Sequence, residues 1–212
     1  MSNSFILIGG GGHAITVYDS LVTNGKSVLG VAALDRTTSI PDLEFLGNDD
    51  AVLEYDSDIY RLANGIGSIG NLDLRETVYR KFSELGYEFP PIVHPSAVVA
   101  TRAMLADGGQ VMAGAVIQPD AVIGENSIIN TRASVDHGCQ IGRSVHIAPG
   151  AVLSGDVIVG DKTHIGTGAS VVQGVKIGSG CLIGVGAAVI TDVPNGTRVR
   201  APVSDYSCID NV

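Results

Sequence analysis

One register governs the second half of this chain. Stepping by six from Val93 meets Val99, Leu105, Val111, Ile117, Ile123, Ile129, Val135, Ile141, Ile147, Leu153, Val159, Ile165, Val171, Ile177, Ile183 and Val189, seventeen aliphatic residues without a slip. A period of six is neither the 3.6 of a helix nor the 2 of a simple strand. It fits a short strand and a tight turn, repeated as one side of a prism. Three sides close a coil of roughly eighteen residues, and stacked coils bury a continuous core that no single repeat could bury alone.

The residues between the aliphatic positions support this. Two places before many of them the side chain is small, as at Ala115, Ala121, Ala133, Cys139, Ala151, Ala169 and Cys181, which suits a crowded corner. Glycine often follows the aliphatic residue, as at Gly124, Gly142, Gly160, Gly166, Gly178 and Gly184, where it is expected to take the turn conformations other residues resist. Composition agrees: 28 Gly, no Trp, four Phe and six Tyr leave thin layers of Ile, Val, Leu and Ala to form the core.

Residues 1 to about 90 have another texture. Phe5-Ile6-Leu7-Ile8 reads as a buried parallel strand, followed by Gly9-Gly10-Gly11-Gly12-His13-Ala14. Ala14, Val17, Tyr18, Leu21 and Val22 then recur at helical spacing, with Gly25 as C-cap. Val28 to Leu34 reads as a second strand ending at Asp35, and Leu74 to Leu85 as another helix. Strand, glycine turn, helix, strand and acid make one mononucleotide-binding half of a Rossmann-like unit, and Gly9-x-Gly11-x-x-Ala14 meets its G-x-G-x-x-G/A form. Glycines there let backbone N–H groups approach a pyrophosphate at the helix N-terminus. About 90 residues leave no room for the second half that a dinucleotide needs, so a nucleoside diphosphate fits better than NAD.

The fold expected is therefore mixed: a small Rossmann-like α/β N-terminal domain (1–90), a parallel β-helix of six-residue repeats (91–194) and a C-terminal tail (195–212). A net charge of −9 and a pI near 4.8 disfavour nucleic acid and anionic membranes. Cys139, Cys181 and Cys208 show neither ligand spacing nor a disulfide framework. With no charged leader and no apolar run of membrane-spanning length, the chain is expected to be cytoplasmic.

The repeat resembles that of the hexapeptide acyltransferases, [LIV]-G-x-x-[STAVC]-x, over about residues 91 to 194. With the glycine-turn domain in front, nearly the whole chain resembles the bacterial nucleotide-amino-sugar N-acetyltransferases, a group that includes proteins named sialic acid O-acetyltransferases. The residues that carry the likeness are the 9–14 glycine turn, Ile66-Gly67, Ile92-Val93-His94-Pro95-Ser96-Ala97, Ile129-Asn130-Thr131, Val135-Asp136-His137 and Val145-His146-Ile147-Ala148-Pro149-Gly150. The resemblance implies a left-handed coil, a homotrimer, acetyl-CoA in the cleft between subunits and no metal. It also implies a UDP- or, less commonly, GDP-linked 4-amino-4,6-dideoxy sugar held by the front domain.

By the same resemblance His137 is the general base, Gly155 offers its amide to the acetyl carbonyl, and Asn130 positions the acceptor. His146, Thr167 and Val185 lie along acetyl-CoA. Gly10, Gly11, Gly12, His13, Asp35, Arg36 and Gly67 hold the nucleotide sugar. The family usually carries Asp or Glu directly after the catalytic histidine; here that position is Gly138. The loss removes a charge-assisted hydrogen bond worth about 1.5–3 kcal/mol, which a carboxylate from elsewhere or water could replace. Two further departures are Asp35-Arg36, where an acidic pair is usual, and Pro202-Val203-Ser204 in place of Pro-Ala-Lys.

Other readings of the same residues stay open. A hydroxyl acceptor would make the protein a sugar or sialic acid O-acetyltransferase. His146 and His164, eighteen residues apart, stack on one outer face, and with His137 across an interface could bind zinc as in a carbonic-anhydrase-like site. Gly138 also suits a catalytically inactive scaffold. His13 either touches the ligand or caps its helix, and His94 beside Pro95 reads as structural.

Overall fold

The computed structural model describes residues 4–35, 40, 43–68 and 72–201. The front part is a four-stranded parallel sheet of β1 (Ser4–Ile8), β2 (Ser27–Ala32), β3 (Phe45–Gly47) and β4 (Arg61–Asn64), in the order β3-β2-β1-β4. Helix α1 (Gly12–Thr23) joins β1 to β2, and α2 (Leu72–Glu84) follows β4. Strand alternation places the two helices on opposite faces. Phe5 and Leu7 pack with Ala14, Val17 and Leu21 of α1, whereas Ile6 and Ile8 pack with Val78 and Phe82 of α2.

The end of α1 is closed as its glycine implies. Gly25 has φ +68°, its N–H donates to Val22 O (2.8 Å), and the Lys26 N–H donates to Leu21 O (3.0 Å). That is a Schellman pair, with Asn24 rather than Gly25 as the C-cap residue. Strand β2 stops at Ala32, so Leu34 and Asp35 lie beyond its C-terminal end.

From Ile92 the chain forms two-residue strands, and each residue of the six-step series is the second residue of one of them, from Ile92–Val93 to Ala188–Val189. Arg198–Val199 adds a last one. They stack as three parallel sheets of five, seven and six strands, each residue pairing with its counterpart one coil on, as His146 does with His164 and Ile147 with Ile165. This arrangement fits a left-handed parallel β-helix. The second residues point inward, forming a core from Val111 to Val193 with Cys139 and Cys181 at its corners.

The glycines work differently from the sequence expectation. Those following the aliphatic residue do not adopt positive φ; a Cβ on Gly160 would lie 2.5 Å from Ser179 N of the next coil, so contact between coils requires them. The left-handed turns stand two residues later. There Asp120, Asn126, Arg132, Ser144, Asp156 and Lys162 share with Gly138 and Gly150 a φ between 53° and 68°. A corner in αL disfavours most side chains but excludes none outright.

Outward-facing residues on one sheet show where the front part docks. Ile92, Gln110, Ile128 and His146, one per coil, are all buried, whereas Leu182 further along the same face is exposed. Among the described residues no helix is long and apolar enough to cross a membrane.

Candidate active site

A pocket of about 860 Å³ opens where the front sheet meets that face. Its upper wall is the glycine turn, Gly9 to Gly12, which leads into α1 with Gly11 as N-cap and no side chain capping the helix. Backbone N–H groups at this end are therefore unclaimed by a cap and favour an anion. Asp35, Asp49, Ile66, Gly67 and Ser68 line the sides, and Asn130 and His146 of the β-helix close the far end.

Two histidines in the pocket wall have their tautomers fixed by neighbours. Gln110 donates Nε2–H to Asn64 O (2.8 Å), so its Oε1 faces His13, and His13 Nε2–H donates to it at 2.8 Å. His13 therefore braces the wall against the β-helix and does not cap α1. Burial, then the nearby Arg75 charge, push its pKa down to about 4 against the hydrogen bond it donates to Gln110. Asn130 accepts the Thr131 N–H through Oδ1 (2.7 Å), which turns its Nδ2–H toward His146 Nε2 (3.0 Å). The proton of His146 then sits on Nδ1 and is donated to Ser68 Oγ. Burial, followed by His164, His13 and Arg75, lowers the His146 pKa to about 2. Both of its nitrogens are engaged, so its edge-to-face contact with His164 (4.8 Å between centroids) is packing and not a shared ligand set. Among the described residues no group of three or more His, Cys, Asp or Glu could hold a metal ion.

Beneath this wall a polar network ties the two parts of the chain. Asn64 Nδ2–H donates to Asn126 Oδ1 (3.2 Å), Asn126 Nδ2–H to Ser144 Oγ (2.9 Å), and the Ser144 hydroxyl to Glu76. Arg75, only 2% exposed, donates to the carbonyls of Asn64 (2.9 Å), Ile66 (2.7 Å) and Asn126 (3.0 Å). Desolvation lowers its pKa to about 9, which leaves it charged at neutral pH. That charge fixes the Asn64–Ile66 segment from which Gly67 and Ser68 enter the pocket.

The other sequence-derived residues stand elsewhere. His137 is exposed at a corner of the coil, and its ring lies over Gly155 one coil on. Asp136 Oδ1 accepts the backbone N–H of His137 (2.6 Å). Thr167 and Val185 are exposed in successive coils, outside the pocket. His94 accepts the Ser96 N–H (3.1 Å), as a structural residue does. Arg36, Cys208 and the 202–204 segment lie outside the described residues. Ser68, Gln110, Arg75 and Asn64 were not identified from the sequence.

Residues 120–155 match the family described as bacterial transferase hexapeptide (six repeats). The acetyltransferase domain of PglB from Neisseria gonorrhoeae, solved with acetyl coenzyme A, superposes with a TM-score of 0.88 at 32% identity, covering 95% of this chain and 97% of that one. The chain belongs to the bacterial nucleotide-amino-sugar N-acetyltransferases. PerB from Caulobacter crescentus, solved with CoA and GDP-perosamine, is another similar structure: 36% identity, TM-score 0.88, 93% and 94% of the two chains. WeeI from Acinetobacter baumannii, at 23% identity and TM-score 0.82 over 93% and 96%, shares the fold. As a member of this family the protein is an acyltransferase.

Proposed function

We propose that this enzyme transfers the acetyl group of acetyl-CoA to the amine of a nucleoside-diphosphate-linked 4-amino-4,6-dideoxy sugar. The observation that carries this is the pocket itself: one cavity runs from the N-terminus of α1, which no side chain caps, to Asn130 and His146 of the hexapeptide coil. A sugar nucleotide has that polarity, with diphosphate at one end and the reacting sugar at the other. The front part then acts as a Rossmann-like half, residues 1–90, with the β-helix over 91–194 as the acetyl-transfer domain. The exposed apolar Val152, Val172 and Val185 on the coils support assembly into a homotrimer, and Thr167 and Val185 fit a surface for acetyl-CoA.

The chemistry asks little of the protein. The amine nitrogen attacks the thioester carbonyl as His137 takes its proton. The oxyanion that develops on the carbonyl oxygen is met by the Gly155 N–H, which among the described residues has no backbone partner. The C–S bond then breaks, the CoA thiolate leaves and is protonated, and an amide remains on the sugar. Neutral His146, held by Ser68 and Asn130, shapes the end of the pocket where the sugar arrives.

The test is release of free CoA from acetyl-CoA with a panel of UDP- and GDP-linked 4-amino-4,6-dideoxy sugars, repeated with His137→Ala. Release with one amino sugar, lost in the variant, supports the reading and identifies the nucleotide, for which the family resemblance implies UDP more often than GDP. Release only with a hydroxyl sugar would replace it with O-acetylation. Absence of acetyl-CoA binding would overturn it in favour of a scaffold.

A further inference from the structure

An imidazole that accepts a proton from an amine needs a third group to hold its ring and select the nitrogen that reacts. In this chain the residue after His137 is Gly138, which has no side chain to offer. Asp136 is turned toward the backbone, its Oδ1 accepting the N–H of His137 at 2.6 Å.

The next coil supplies a carboxylate. Asp156 stands at the same corner as Gly138 one coil further on, in the left-handed conformation (φ 58°) that the corner imposes. Its Oδ1 would collide with a Cβ on Gly138, and its Cγ lies 3.4 Å from the position of that Cβ. Beside it the His137 ring covers Gly155, with Nδ1 3.1 Å and Nε2 2.6 Å from the position of a Cβ there. Two side chains and two glycines are thus crossed. The ring of one coil fills the space over Gly155, and the carboxylate of the next fills the space over Gly138.

The pair is also held in register. The Asp156 N–H donates to His137 O (2.8 Å), and Gln173 Nε2–H reaches Asp156 Oδ2 at 3.5 Å from the coil beyond. One carboxylate oxygen is engaged on the far side, and the other faces the coil that carries His137. We propose that Asp156 is the positioning residue for His137, delivering across the coil the carboxylate that Gly138 lacks, and that Gly138 is glycine to admit it. This rests on the acetyltransferase reading with His137 as base.

The decisive comparison uses the full-length wild type, Asp156→Asn, and the exchange variant Gly138→Asp/Asp156→Gly, assayed with acetyl-CoA and the accepted amino sugar. Asp at 138 can take its corner, since Asp120 (φ 65°) and Asp156 already do so. Asp156→Asn should lower kcat by about 10- to 100-fold with the acetyl-CoA KM held within about twofold and an unchanged melting temperature. The exchange variant should recover most of the lost kcat, which a merely structural role would not allow. An Asp156→Asn variant with wild-type kcat, or a loss that the exchange does not recover, overturns the assignment of Asp156 alone. A wild type that transfers no acetyl group overturns the functional reading and this assignment together.

Discussion

The imidazole of His137 rests on Gly155: a methyl group added to Gly155 would meet the ring at 2.5 Å from Cε1 and 2.6 Å from Nε2. Gly155 does not need positive φ, so alanine strains no backbone there and acts only by displacing the ring. A displacement of about 1 Å at a reacting group costs on the order of 100-fold in rate. Gly155→Ala is therefore expected to lower kcat about 10- to 100-fold while the thermal midpoint barely moves. Steady-state kinetics beside a melting curve checks both, and a variant with wild-type kcat would show that the ring has room to spare.

Stability should fall on the acid side because two buried histidines resist protonation. The His13 pKa is lowered from 6.5 to about 4, and that of His146 from 6.5 to about 2. Below pH 6.5 the unfolded chain takes up protons that the folded chain refuses, so unfolding becomes easier as pH falls. The contribution of His13 grows to roughly 3 kcal/mol near pH 4 and then levels off, whereas that of His146 continues to grow below it. Urea unfolding between pH 7 and 4 should show the loss, and His13→Gln should reduce the slope whatever it does to the absolute stability. Equal slopes in both proteins would mean that His13 is more solvated than its place in the wall implies.

Arg75 carries more than a side chain near the start of α2 would suggest. Its guanidinium feeds three backbone carbonyls, two of them leading to Gly67 and Ser68. Arg75→Met removes the charge, keeps much of the volume and leaves those acceptors buried without donors. The expected cost is about 3–5 kcal/mol, measured by denaturant titration, together with weaker nucleotide-sugar binding. A loss of under about 1 kcal/mol would mean that water replaces the guanidinium.

The core of the β-helix was legible from the start because inward-facing residues must be aliphatic at every sixth place, and no loop interrupts the count. The place of the glycine turn, His13 and Asp35 in the pocket lining was legible for a related reason, since a strand–turn–helix puts its own loop at the end of its own sheet, whereas Gly67 came from the family resemblance. Which face of the coil receives that sheet was not. It depends on Gln110, Ile128 and His146 being outward yet buried, and an outward residue reads alike whether it meets water or protein. Ser68 and Arg75 escaped for the same reason: their partners are distant in the chain. The facing of Asp156 and Gly138 did have a signal, because stepping one coil from Gly138 lands on Asp156. The corner conformation that turns the carboxylate back was needed to give that step a meaning.

Gly12 separates folding from function most cleanly. It is the first residue of α1, exposed, with φ in no restricted region and open space where a Cβ would go. In a helix, alanine is favoured over glycine by up to about 1 kcal/mol, so Gly12→Ala should raise the melting temperature. Gly12 also lines the pocket at the helix N-terminus, so the same methyl is expected to crowd a diphosphate approaching the backbone there. The nucleotide-sugar KM should then rise by about tenfold or more, with the acetyl-CoA KM unchanged. Opposite signs in stability and substrate affinity would assign the turn to ligand binding. A more stable variant with an unaltered KM would make Gly12 a residue of packing convenience and move the diphosphate elsewhere in the pocket.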